Sequence, residues 1–136
     1  MSEDLSAASA AADQARRATL GDQYVDRATR DMSQEDEMFQ RYVTDVVWSN
    51  WNRPGLALRD RSLITIAMSA ALNQMPELEL HVQGALRNGV TRAELWELVM
   101  QVVSYCGAPA GVQAKRGMLR AFTAFDAETT SRPIVS

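Results

Sequence analysis

The sequence predicts an all-α fold of six to seven helices, and three observations predict it. Apolar residues recur at spacings of three and four over most of the chain. The long periodic stretches are bracketed by residues that start or stop helices. No stretch alternates with period two for long enough to build a sheet.

The elements follow in order. Residues 1–18 are mostly alanine, serine and charge, with Leu5 as the only large apolar side chain after the initial Met1, too little apolar surface to offset ordering entropy unaided. They read as a flexible or partner-docked arm. A short helix is expected from Gly21 to Thr29, and a longer one from Ser33 to Trp48, opened by Ser33 and Asp36 in a capping-box-like pair. Met38, Tyr42 and Val46 form one stripe on it and Phe39, Val43 and Val47 the next, giving a wide apolar arc. Pro54 forces Arg53 toward extended geometry and Gly55 supplies turn freedom, so the chain breaks there.

Leu58 to Asn73 is apolar around nearly its whole circumference and reads as the central buried helix. Pro76 opens the next helix at its first turn, and Asn88-Gly89 closes it. Thr91 and Glu94 then make a capping box for a helix that turns Leu95, Leu98, Val99 and Val102 inward and runs to Tyr105. Gly107-Ala108-Pro109 interrupts it, and a last helix reaches about Ala127. Residues 129–136 read as a loose tail, leaving 19–128 as one helical domain.

Composition removes several function classes. A chain of 136 residues is one domain's worth. Fourteen basic residues against 17 acidic ones, dispersed rather than clustered, give a net charge of −3 and no phosphate-backbone footprint, so no nucleic-acid partner is expected. No apolar run approaches the roughly 20 residues that span a bilayer, and the amino terminus lacks the pattern of a signal peptide. A single cysteine, Cys106, allows no internal disulfide and reads as a small buried hydrophobe. A cytoplasmic location is the expectation, and no metal-ligand cluster or phosphate-binding glycine motif stands out.

One histidine is present, and it lies on a core-facing stripe. His81 follows Leu78 by three and precedes Ala85 by four, so its imidazole points inward. Burying it without a partner is costly. Glu77, one turn earlier, is the candidate partner, holding a ring nitrogen and raising its proton affinity. The pair is a candidate acid/base device. The plain alternatives are a hydrogen-bonded core histidine and a glutamate placed for the helix dipole. Trp48, Trp51 and Trp96 read equally as packing residues.

Trp51-Asn-Arg53-Pro54-Gly55-Leu56, Arg61-Ser62-Leu63, Glu77-Leu-Glu-Leu-His81, Asn88-Gly89-Val90-Thr91 and Tyr105-Cys-Gly107-Ala-Pro109 occur in that order. Together, from about Leu20 to Phe125, they resemble the carboxymuconolactone decarboxylase family. The resemblance implies an alkylhydroperoxidase D-like helical fold, assembly into homo-oligomers of hexamer size, and cofactor-free decarboxylation of 4-carboxymuconolactone to the β-ketoadipate enol-lactone in protocatechuate catabolism. The implied partner is a small lactone carboxylate.

Within that resemblance, His81 and Glu77 are the candidate catalytic pair. Arg53 and Arg61, with Arg59 third, are the candidates for carboxylate capture, which suits a planar guanidinium fork. Trp51 is a candidate apolar wall, and Ser62 and Tyr105 are candidate hydroxyls toward the lactone oxygen. Two alternatives stand beside this reading: a peroxidase-related redox protein and a non-catalytic helical assembly protein. The redox branch carries two cysteines and a glutamate where this chain has Gln74, Glu77 and a position near Ser62, so the thiol relay is missing.

Overall fold

A computed structural model describes residues 2–131, which form seven α-helices and no strand. They are α1 (Ser2–Leu20), α2 (Asp22–Ala28), α3 (Gln34–Trp51), α4 (Leu58–Ala71), α5 (Met75–Arg87), α6 (Arg92–Cys106) and α7 (Ala108–Ser131). The helices group into two compact units, Met1–Leu58 and Arg59–Ser136. Of the expected loose tail, 129–131 belong to α7, and 132–136 lie outside the described residues.

In the first unit the stretch expected to be an arm is helix α1, docked along α3. Composition hid this because the docking face is built from small and polar side chains: Ala12, Arg16, Thr19 and Leu20 are its buried residues. Polar ties replace a leucine stripe. Ser9 donates to Asp45 at 2.8 Å, and Asn52 donates to the Ala11 carbonyl at 3.1 Å. Gly21, at φ 89, lets the chain turn sharply from α1 into α2. Ser33 caps α3, its hydroxyl accepting from the Asp36 amide. The wide apolar arc of α3 is not core: Met38, Phe39, Tyr42 and Val46 are exposed, while Thr44, Trp48 and Trp51 are buried.

In the second unit α7 packs against both α5 and α6. Ile66, Leu78, Val82, Leu95, Val99, Met118 and Phe122 form its core, each large side chain contributing about 1.5–3 kcal/mol by burial. Gly117 permits close approach of α7 to α5, because a Cβ there would meet Leu78 Cδ2 at 2.8 Å. The Thr91–Glu94 capping box is formed in full. Gly107, at φ 94, stops α6, and α7 starts at once. α4 is buried along one face only, through Ser62, Ile66, Ser69 and Ala70. Its opposite stripe, Ile64 and Met68, is exposed, as is Leu72 just past its end, so the expected all-round burial of this helix does not hold.

Candidate functional site

Helix α5 sets the position of His81. Pro76 lies in its first turn, Asn88 is its C-cap, and the stripe Leu78, His81, Val82, Ala85 is buried. His81 is 6% exposed and its Nδ1 atom is fully buried. Burial disfavours the charged ring and pushes its pKa down from 6.5 to about 4, so the imidazole is neutral at pH 7.

The sign is opposite to the one expected from Glu77. That carboxylate stands in the first turn of α5 but is exposed, and it makes no contribution to the His81 shift. Water screens a carboxylate at the surface, whereas desolvation of the ring acts in full.

The other candidates on this unit fall into distinct environments. Arg61 is half-buried on α4 with its Nε fully enclosed. Ser62 is completely buried and accepts a hydrogen bond from Asn88 Nδ2 at 3.0 Å, which pins α4 to the end of α5. Its hydroxyl therefore has a structural use. Arg59 is committed to Glu94, with Asp60 a second partner at 3.6 Å. That hydrogen bond holds the Glu94 carboxyl down, to about 2, and raises the Arg59 pKa.

Tyr105 is 82% exposed at the end of α6. It borders an open groove of about 590 Å³ between α4 and α6, whose walls are Leu63, Ala67, Leu98 and Val102. Glu94, Glu97 and Gln101 edge that groove. Sequence reasoning gave Glu94 a capping role only and passed over the other two; their i, i+4 spacing on α6 was the available signal. Cys106 is exposed and lines the same groove, so its expected burial is corrected. His81 is not among the groove's lining residues.

Trp51 and Arg53 belong to the first unit. Trp51 is buried and stacks on Trp48, ring centroids 4.9 Å apart, which is the packing role weighed for it. Arg53 is exposed just beyond the C-cap of α3. No group of three or more His, Cys, Asp or Glu side chains that could hold a metal ion occurs among the described residues. No helix among them is long and apolar enough to cross a membrane.

Comparison with known proteins bears on this arrangement. Residues 36–128 match the carboxymuconolactone decarboxylase family. The 4-carboxymuconolactone decarboxylase of Acinetobacter baylyi is 38% identical over 96 residues, covering 70% of this chain and 72% of the relative. Nitrosuccinic acid decarboxylase npaB of Metarhizium robertsii is 37% identical over 100 residues, covering 73% of this chain and 70% of the relative. The span 36–128 contains every candidate residue named above.

Proposed function

The chain belongs to the carboxymuconolactone decarboxylase family, and from that premise we propose that it decarboxylates a small acid carrying its own electron acceptor, with 4-carboxymuconolactone as the substrate. The match to a relative named for that reaction carries the reading. In the lactone, one ring carbon bears the departing carboxylate. As the bond to it breaks, the electron pair moves through the ring double bond onto the lactone carbonyl, giving a furan-like enolate. A proton then adds to the carbon beside the carbonyl, and carbon dioxide leaves. The substrate supplies the electron sink, so the protein's task is to bind, desolvate and protonate.

His81 is the proposed proton carrier, and its environment determines how. A neutral imidazole is a poor acid, so the proton must arrive with the substrate. One negative charge about 4 Å from the ring, at an effective dielectric near 20, is worth about 4 kcal/mol, or about three pKa units. That lifts a pKa of about 4 to neutrality. The anionic lactone thus recruits the proton that its own enolate later takes. Glu77, exposed one turn away, relays protons between water and the ring. Arg61, whose guanidinium is partly enclosed, receives a substrate carboxylate.

A second reading rests on the fungal relative. Its name specifies nitrosuccinic acid, an acid whose nitro group accepts the electron pair in the same way. Homo-oligomeric assembly, with the hexamer implied by the family resemblance, is supported by the exposed apolar stripe of α3, and sedimentation tests it. The functional experiment is to supply purified protein with 4-carboxymuconolactone generated in situ and, separately, with nitrosuccinic acid, and to measure carbon dioxide. Release from the lactone well above its spontaneous rate is expected. Release from nitrosuccinic acid alone transfers the reading to that acid, and release from neither removes both.

A further inference from the structure

The first unit contains a buried cation that no acid in the unit neutralises at close range. Arg16 is 5% exposed, on the face of α1 that packs against α3. Among the described residues it makes no hydrogen bond and no ion pair; its attractive neighbours, Tyr24 and Asp13, act only through space. The acids nearby are committed elsewhere. Arg17 takes Asp13, Asp22 and Asp26, at 3.2, 3.2 and 2.9 Å. Arg41 takes Asp45 and the Ser9 hydroxyl. Burial lowers the proton affinity of Arg16, and Arg17 and Arg41 lower it further.

A desolvated guanidinium without a counter-charge is costly, and this one lines a polar cavity of about 510 Å³. Thr44 and Gln40 lie on the same wall; Gln40 Nε2 donates to Thr44 Oγ1 at 2.9 Å, leaving the threonine hydroxyl hydrogen available as a donor. Glu37 and Arg41 also line it, and Glu37, exposed, has no hydrogen bond or ion pair through its carboxylate among the described residues. Arg16 precedes the family-matched span of 36–128.

We propose that this cavity between α1 and α3 binds a small carboxylate, the Arg16 fork taking both carboxylate oxygens and Thr44 donating to one of them. Planar, bidentate capture is what a fixed guanidinium does best. Glu37 sets the far end of the ligand. Its negative charge disfavours multiply charged anions and favours a carboxylate whose other end carries an ammonium group. None of the residues it uses is among those assigned to the decarboxylation, and all of them lie in the first unit.

The probes are butyrate, 4-aminobutyrate and inorganic phosphate, titrated into the full chain and followed by calorimetry and by amide chemical shifts of α1 and α3. Saturable binding of 4-aminobutyrate, several-fold tighter than butyrate, is expected. Arg16→Gln weakens both by at least about tenfold, the scale of a charge-assisted hydrogen-bond pair. Glu37→Gln, at an exposed position that does not test folding, removes the preference for 4-aminobutyrate over butyrate. No saturable binding of either carboxylate overturns the proposal, as does an unchanged preference in Glu37→Gln. Phosphate binding tighter than both carboxylates overturns the assignment of ligand class.

Discussion

Acidification isolates the energetics of His81, because it is the only histidine in the chain. Its folded pKa of about 4 lies below the ordinary 6.5. The unfolded chain therefore binds a proton that the folded chain refuses between those values, and stability falls as pH drops through that window. The stabilisation is complete above pH 6.5. At pH 5 the loss amounts to about 2 kcal/mol, and below pH 4 it saturates at about 3 kcal/mol. Urea unfolding of tag-free wild type and His81→Gln, followed by far-UV circular dichroism at pH 7.5 and pH 5, separates this from carboxylate titration common to both. Wild type should lose about 2 kcal/mol more than the variant over that interval. A direct titration of the lone imidazole by NMR gives the same number independently. Equal losses in the two proteins, or an imidazole midpoint near 6.5, would refute the burial argument.

Other consequences concern the scaffold. Thr91→Ala removes the hydroxyl that accepts from Glu94 N and should cost about 1–2 kcal/mol, seen as a lower urea midpoint at unchanged slope. Gly117→Ala improves helix propensity yet drives a Cβ to 2.8 Å from Leu78, which is 1% exposed and has little room to move. Net destabilisation of about 1–3 kcal/mol is expected from overpacking, and a gain in melting temperature would show that α5 and α7 separate easily. Arg59→Ala breaks a partly exposed pair with Glu94, so its effect on melting should be small and should vanish in high salt.

Helix boundaries were legible where local chemistry sets them. Ser33, Pro76, the Thr91–Glu94 box and Gly107 each act within a turn of their own position, and each marks an observed helix end. The inward face of α5 was legible as well, since Leu78, His81, Val82 and Ala85 follow one stripe. What periodicity does not carry is the partner of each face. Helix α1 escaped notice because, up to its last residue Leu20, its buried contacts come from an alanine, a threonine and an arginine. The apolar arcs of α3 and α4 pointed to a core, yet much of each is exposed. A hydrophobic stripe records that burial is favourable and does not say what would cover it.

The candidate site divides in the same way. The burial of His81 followed from spacing, but its charge state depended on where the Glu77 carboxylate ends up, and a residue four positions away on a helix is equally free to face solvent. Ser62 was singled out for its hydroxyl, which instead holds Asn88. The buried charge of Arg16 was invisible in sequence, since its isolation depends on Asp13, Asp22 and Asp26 all pairing with Arg17.

The most direct test of the proposed chemistry is turnover of 4-carboxymuconolactone by wild type and by His81→Gln, each shown to be folded, with carbon dioxide and residual lactone measured together. The account predicts one carbon dioxide per lactone consumed by wild type and a rate at least about 100-fold lower in the variant, the scale of a lost proton-transfer group. A fully active His81→Gln protein would contradict it.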